Sequence, residues 1–360
     1  MFAYAMKWQD DISLENTDRS RATSQLAMYA VHLSDGHSLF CKRIRLNTIK
    51  GYVKAAATFL ALFGEVSHDY RYDRDGDEHF SPLLQHVYDE LERYEKKTKR
   101  REAFTPDMLE YLCAVVKEQE LDDNGMETAL SKWFTVGLFA GLRLSEYAQN
   151  QYKYDPATPM LDIFLDPKAF CIGDFIYGTN TRMRMSAIEA AAYEGPDVIE
   201  RCWITFRTQK NGQNSEERLF VRNTNAASRF CFVTATLKIV RRFIRLRGTD
   251  DTTTPLALYR ELSTGRTVLV TSNVIEKVMR QCARVVHKVK NDAELQLFSA
   301  HSLRVGACVI LHTMGFNAIE IKWTLRWRSD AFMDYLRNTH VLATRQNRVL
   351  DEASAMPNFL

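Results

Sequence analysis

The chain has 360 residues, which exceeds the usual size of a single domain and favours two. Hydrophobic residues make up 46% and charged residues 26%, so the composition excludes a chain that is disordered throughout. The net charge of +3 is too small to indicate a nucleic-acid partner by itself.

The charge is unevenly distributed along the chain. Residues 201–250 include 11 basic and 3 acidic side chains, a net charge of 11 − 3 = +8. Residues 69–78 include 5 acidic and 2 basic side chains, a net charge of 2 − 5 = −3. This asymmetry favours one basic face and one solvated acidic loop, although chance clustering on a solvated surface gives the same pattern.

The spacing of cysteines and the length of apolar runs indicate whether the chain binds metal, crosses a membrane or is exported. None of the seven cysteines forms a CxxC pair, and no Cys/His spacing fits zinc, so we expect reduced thiols and no metal site. The N-terminus lacks the features of a signal peptide, and no apolar run approaches the roughly 20 residues that span a bilayer. We expect an intracellular protein without a membrane partner, nuclear in a eukaryotic host and otherwise cytoplasmic.

The first part of the chain predicts a small helical domain over residues 21–95, preceded by a flexible segment, 1–20. Apolar spacing predicts helices over 22–34 and 83–94, and Asn47-Thr48 is a start signal for a helix between them. Basic side chains cluster around that start and are candidate DNA contacts: Arg43, Arg45, Lys50 and Lys54.

A basic run then separates this part from the rest. Residues 96–101 hold five basic side chains in six positions and no apolar one, so we interpret 96–104 as an interdomain linker. It could lie along a DNA backbone, serve as a nuclear-localisation signal, or be a solvated tether. Its candidate DNA contacts are Lys96, Lys97, Lys99, Arg100 and Arg101.

The second domain is predicted over residues 105–345. Thr105-Pro106 is a typical helix start, and an apolar helix over 126–139 ends before Gly141. The spacing of apolar residues changes from helical to strand-like at 203–207 and 218–221. These two segments flank an Asn-Gly turn signal and predict a β-hairpin. Lys210 lies at the predicted tip, and Arg207 is a further candidate DNA contact. Residues from 232 onward are mainly helical, so the fold class is mainly α with a small β-sheet.

Four separated pieces of the second domain can carry chemistry. They are Gly141-Leu142-Arg143-Leu144-Ser145-Glu146, the hairpin Lys210, His301-Ser302-Leu303-Arg304, and the segment from Leu325 to Arg337, which contains Trp327 and Tyr335. Each motif alone more often marks a packed or a surface residue than a functional site.

Together and in this order, the pieces resemble the tyrosine recombinase (integrase) family. That family has a GLRxSE box, a lysine on a β-hairpin, an HxxR box, a His or Trp, and a tyrosine eight or nine residues later; Trp327 precedes Tyr335 by eight. The segment Arg-Trp-Arg-Ser-Asp-Ala-Phe is similar in sequence to integrase-like enzymes of eukaryotic mobile elements such as cryptons. One departure is Leu325, where the family usually has glycine, so the turn must form without it. Arg326, nine residues before Tyr335, is the less favoured occupant of the His/Trp position.

The resemblance implies a helical core-binding domain followed by a mixed α/β catalytic domain. It implies a site-specific recombinase that cleaves and rejoins double-stranded DNA through a covalent 3′-phosphotyrosine, without metal, ATP or another cofactor. It also implies a homo-oligomer, expected to be a tetramer on paired DNA sites. The tail, 346–360, either docks on a neighbouring protomer or is a frayed terminus.

The residues assigned to the site are six catalytic side chains and one supporting carboxylate: Arg143, Lys210, His301, Arg304, Trp327, Tyr335 and Glu146. Arginine is always charged and can bind two phosphate oxygens, which suits the anionic transition state of phosphoryl transfer. A phenol with a pKa near ~10 needs a base or a positive environment to attack at neutral pH, and the histidine is the candidate base. Indole can only donate, and the lysine would protonate the departing 5′-oxygen.

The role of Glu146 and the function of the chain each have alternative interpretations. Glu146 either orients Arg143 or His301, or simply caps a helix. The same chemistry would serve a type IB topoisomerase that relaxes DNA without strand exchange. A domesticated, catalytically inactive DNA-binding protein is a further alternative, although every expected catalytic position holds a competent residue.

Overall fold

The computed structural model describes residues 19–37, 43–63, 69–72, 79–95, 100–118, 122–148, 169–182, 184–195, 197–207, 214–224, 230–327 and 329–336. The chain divides into two compact units, Met1–Thr98 and Lys99–Leu360. Within the described ranges, no helix is both long enough and apolar enough to cross a membrane.

The first unit is helical, as predicted. It contains α1 (Arg19–Ser34), α2 (Leu46–Phe63) and α3 (Pro82–Tyr94), and a proline in the first turn of α3 fits the start of that helix. Apolar side chains at three-to-four spacing face one another because the three helices pack together. The core takes side chains from all three helices: Leu26, Ala30, Val53, Leu84 and Tyr88.

The second unit combines helices with a small antiparallel sheet. Its described helices are α4 (Pro106–Glu118), α5 (Met126–Ala140), α6 (Leu144–Tyr147), α7 (Ala187–Ala191), α8 (Phe232–Arg247), α9 (Ser272–Val286), α10 (Asp292–Leu295), α11 (Ser302–Thr313) and α12 (Ala318–Leu325). A short 3-10 helix, Asp330–Asp334, follows α12. The mainly α fold class with a small sheet is confirmed.

The sheet has the strand order β2-β1-β3-β4. Its strands are β1 (Phe175–Gly178), β2 (Met185–Ser186), β3 (Arg201–Phe206) and β4 (Glu216–Val221). Strands β3 and β4 are the predicted hairpin, paired antiparallel over their full length. A separate two-stranded sheet joins β5 (Leu258–Arg260) to β6 (Thr267–Leu269).

Helix α5 lies in the core of the second unit, where it packs against α4, α8 and α11. Close approach fixes α11: a Cβ on Gly306 would lie 2.1 Å from the carbonyl oxygen of Phe104, so only glycine fits there. The backbone N–H of Phe104 also donates to the carbonyl of Ser302 at 3.0 Å. These contacts hold the N-terminus of α11, with His301 as its N-cap residue, at a fixed place.

Candidate active site

A left-handed glycine places Arg143. Helix α5 ends at Gly141, whose φ of 57° suits glycine, and the chain turns directly into α6. Arg143 is the N-cap residue of α6, and its backbone N–H donates to Glu146 Oε2 at 2.8 Å. Its Nη1 donates to Glu146 Oε1 at 3.1 Å. Glu146 therefore both caps the helix and orients Arg143, which combines two of the roles left open by the sequence.

Arg304 joins three segments of the site. Its guanidinium is buried and donates to the carbonyl of Gly141 at 2.5 Å and to the carbonyl of Leu325 at 2.8 Å. It also lies over the Trp327 ring, 4.4 Å from the centroid. Because α11 carries Arg304, these bonds tie that helix to the end of α5 and to the end of α12.

The site concentrates positive charge. Burial, together with the positive charges of Arg143 and Arg326, lowers the pKa of Arg304 to about 9. The guanidinium of Arg304 is still protonated at pH 7, although burial and the neighbouring positive charges disfavour its charged form. A bound anion would stabilise that charged form. The side chain of Arg143 is 22% exposed and that of Arg326 only 1%, so Arg143 is the more accessible of the two.

Arg326 is a site residue that the sequence analysis named only as the less favoured occupant of the His/Trp position. Arg326, and not the preceding Leu325 at which the sequence analysis placed the missing glycine, takes the left-handed conformation (φ 58°) at the end of α12. Its guanidinium pairs with both carboxylate oxygens of Glu146, at 3.0 and 3.1 Å. The sequence offers no local signal for this pairing, because the partners lie 180 residues apart.

The candidate nucleophile and base are in direct contact. His301 Nε2 and Tyr335 Oη lie 2.8 Å apart, a hydrogen bond whose donor depends on the imidazole tautomer. Burial, and secondarily the charges of Arg304 and Arg101, lowers the pKa of His301 below its usual value of 6.5. The imidazole is therefore neutral at pH 7, the form that can accept the phenolic proton.

Tyr335 directly follows the 3-10 helix and is held by an apolar anchor. Its backbone N–H donates to the carbonyl of Phe332 at 2.9 Å, and Phe332 is fully buried in a cluster with Cys308 and Leu325. The side chain itself is half-buried. The anchor fixes the position of the phenol while leaving it partly accessible.

Trp327 also packs against the phenol of Tyr335, with ring centroids 5.6 Å apart. Its indole nitrogen is buried and has no hydrogen-bond partner within the ranges that the structure describes. Indole N–H can only donate, so this nitrogen is an unsatisfied buried donor within the described part of the site.

The structure thus brings six of the seven predicted site residues together; the seventh, Lys210, lies outside the described residues, as do the other residues of the predicted turn, 208–213. The strands that flank this turn are described and paired. Arg207, a candidate DNA contact, donates to the carbonyl of Ala169 and forms an ion pair with Asp174 at 2.8 Å, so it has a structural role.

The other candidate DNA contacts vary in exposure. Arg43, Arg45 and Lys54 are exposed on the first unit, while Lys50 is half-buried with its ammonium 5.0 Å from the centroid of the Tyr88 ring. Arg100 and Arg101 are exposed on the second unit, where Arg101 donates to the carbonyl of Gln296. Three candidates lie outside the described residues: Lys96, Lys97 and Lys99.

Comparisons with known proteins gave structural likenesses. No family model matches the chain, and no curated protein matches it. A solved complex of the Tn1549 transposon integrase (residues 82–397) with circular-intermediate DNA is 12% identical, with a TM-score of 0.41, over 96% of this chain and 90% of that one. A Y379F form of that integrase with transposon right-end DNA is 13% identical, with a TM-score of 0.42, over 96% and 90% of the two chains. These likenesses are distant, and the function proposed below rests on the geometry of the site.

Proposed function

We propose that this chain is a tyrosine-type site-specific recombinase that cleaves and rejoins double-stranded DNA through a 3′-phosphotyrosine. The observation that carries the proposal is the 2.8 Å contact between His301 Nε2 and Tyr335 Oη beside the buried guanidinium of Arg304. A phenol next to a neutral base and a concentration of arginines is the arrangement required for attack on a phosphodiester.

The attacking half of the reaction follows from these contacts. Tyr335 Oη forms the new bond to phosphorus, and its proton passes to His301 Nε2. Arg143 and Arg304 stabilise the charge on the non-bridging oxygens, and the indole N–H of Trp327 donates to one of them. Glu146 holds Arg143 in place and does not touch the substrate.

The leaving half requires a proton donor for the 5′-oxygen as the P–O5′ bond breaks. By resemblance this donor is Lys210, in the segment between β3 and β4. Rejoining reverses both steps: a 5′-hydroxyl attacks the phosphotyrosine, and the phenol leaves with the proton held by His301. Bond energy is conserved in the phosphotyrosine, so the scheme uses no cofactor.

The proposal extends to assembly and location. Strand exchange between two duplexes needs more than one nucleophile, so we propose a homo-oligomer, a tetramer on paired sites. Phosphate contacts from the basic side chains of the first unit, such as Arg43 and Lys54, would supply salt-dependent affinity. Action on chromosomal DNA places the protein in the nucleus of a eukaryotic host and otherwise in the cytoplasm.

A capture experiment tests the chemistry and identifies the DNA site at the same time. The protein is incubated with a library of nicked duplexes of random sequence, and DNA that stays bound to protein in SDS is recovered and sequenced. A 3′-phosphotyrosine blocks digestion from the 3′ end and leaves a free 5′-hydroxyl that a kinase can label.

The matched control is Tyr335→Phe, which removes only the nucleophilic oxygen. We expect an adduct of one sequence class with the unaltered protein and none with this variant. DNA binding by both proteins without an adduct would contradict the proposal and favour the inactive DNA-binding alternative. An adduct of all sequences, with relaxation of supercoiled plasmid and no strand exchange, would indicate a topoisomerase.

A further inference from the structure

Arg326 is a fully enclosed cation within the candidate site. Its side chain is 1% exposed, and its guanidinium donates to both oxygens of Glu146 and, at 3.1 Å, to the carbonyl of Ala140. A buried arginine is costly unless its donors are satisfied, and a bidentate carboxylate pair together with a carbonyl meets that need.

The same carboxylate also holds Arg143. Glu146 Oε1 accepts from Nη1 of Arg326 at 3.0 Å and from Nη1 of Arg143 at 3.1 Å, while Oε2 accepts from the Arg143 backbone at 2.8 Å. The carboxylate is thus shared between a buried guanidinium and a partly exposed one. The bidentate bond from Arg326 restricts rotation of the carboxylate and so fixes the oxygen to which Arg143 is bound.

Arg326 is itself held by its surroundings. Its left-handed backbone at the end of α12 directs the side chain inward, and the guanidinium stacks on Phe206 with 3.5 Å between Cζ and the ring centroid. Phe206 is the last residue of β3, so one side chain connects the sheet with the end of α5 and with α6.

We propose that Arg326 is a positioning residue, which sets the geometry of Arg143 through Glu146 and does not itself contact the substrate. This inference rests on the proposed function, because it assigns Arg143 to the phosphate. It predicts that loss of Arg326 slows chemistry on bound DNA and leaves DNA affinity nearly unchanged.

The variants are chosen so that folding does not decide the outcome. Arg326→Met alone leaves Glu146 buried without its main partner, so the double variant Glu146→Gln/Arg326→Met is compared with it. Glutamine keeps an acceptor for the Arg143 backbone, and methionine packs on Phe206 without a charge. Arg242→Met is the matched control, since Arg242 is also buried and donates to backbone carbonyls, those of Asp123 and Thr128.

The measurement is the rate of covalent adduct formation at saturating protein, on a nicked duplex carrying the sequence recovered by capture. Affinity for the same duplex is measured separately, and rates are normalised to the folded fraction. We expect the double variant to form adduct about 10- to 100-fold more slowly with nearly unchanged affinity, the scale expected for a displaced catalytic group. Arg242→Met should lose stability but keep the unaltered rate.

A double-mutant cycle distinguishes positioning from a general structural role. In an Arg143→Ala background, Arg326→Met should slow the reaction no further, because its target is already gone. If Arg326→Met slows the reaction in the Arg143→Ala background as much as it does alone, the positioning role of Arg326 is wrong. It is also wrong if the folded Glu146→Gln/Arg326→Met variant reacts as fast as the unaltered protein. Either result would leave the proposed function in place.

Failure of the proposed function gives a different pattern. If the unaltered protein forms no adduct, both proposals fail, and thermal unfolding of the single and double Glu146 and Arg326 variants still shows whether the two side chains are energetically coupled. Coupling without chemistry would limit Arg326 to folding and overturn its positioning role.

Discussion

The imidazole Nε2 of His301 and the phenolic oxygen of Tyr335 lie 2.8 Å apart, although 34 residues separate them in the chain. The imidazole, the proposed base, is carried by the N-cap residue of α11, and the phenol follows a 3-10 helix that is anchored by Phe332. Proton transfer between these two groups needs no rearrangement of either element.

This contact predicts a rate that increases with pH through the acid range. Only neutral imidazole accepts the proton, and the pKa of His301 is lowered below 6.5 by burial and by Arg304 and Arg101. Adduct formation at DNA concentrations far below saturation reports the free protein, so its midpoint should lie below pH 6.5, with a plateau at neutral pH.

Two variants check that the profile belongs to His301. His301→Gln should remove the step and lower the plateau by roughly 10²- to 10⁴-fold, the scale of general base catalysis. Arg101→Gln should move the midpoint upward, because a nearby positive charge is removed. A midpoint above the usual histidine value in the unaltered protein would contradict the assignment.

Alanine substitutions of Arg143 and Arg304 should slow the reaction by similar factors but differ in their effect on the free energy of unfolding. Replacing either with alanine should lower the adduct rate by about 10²- to 10³-fold, by analogy with loss of one donor to a charged transition state. Arg304→Ala should also lower the free energy of unfolding by roughly 1–3 kcal/mol, because the carbonyls of Gly141 and Leu325 lose their donor. Denaturant unfolding and adduct kinetics measure the two effects, and equal destabilisation by both variants would count against the observed contacts.

Gly141 should tolerate no side chain. At a φ of 57°, alanine costs about 1–2 kcal/mol, and its Cβ would lie 2.6 Å from Cδ2 of Leu325. Gly141→Ala should therefore lower the free energy of unfolding and slow the reaction, since this turn places Arg143. Gly51→Ala is the control: this exposed position in α2 has no atom near an added Cβ, so alanine should stabilise by up to ~1 kcal/mol. Chemical denaturation distinguishes the two, and a neutral Gly141→Ala would refute the required conformation.

Lys54 and Lys50, one helical turn apart in α2, should respond differently to substitution. Lys54 is exposed, so Lys54→Gln should reduce the slope of log affinity against log salt by about 0.9 if it contacts a DNA phosphate. Lys50 packs over Tyr88, so Lys50→Gln should lower the melting temperature and change the slope less. Salt titrations of DNA binding with both variants test this, and identical slopes for Lys54→Gln and the unaltered protein would remove Lys54 from the interface.

Local sequence determined most of the helices and the hairpin. The apolar spacing in α1, α3 and α5, the Thr105-Pro106 start of α4 and the glycine at the end of α5 depend only on neighbouring residues, and the predicted elements are confirmed within a few residues. Strands β1 and β2 were not predicted, because segments of four and two residues are too short to show a period.

The order of the motifs also let the sequence nominate Arg143, Glu146, His301, Arg304, Trp327 and Tyr335, all of which the fold brings to one place. It could not reveal that Arg326 shares Glu146 with Arg143, because that pair is made between the ends of two helices far apart in the chain. Nor could it set the pKa of His301 or of Arg304, since burial and neighbouring charge shift a pKa, and both exist only once the chain has folded. The residue types came from the sequence, while their distances, their burial and the buried arginine behind them were decided by tertiary packing.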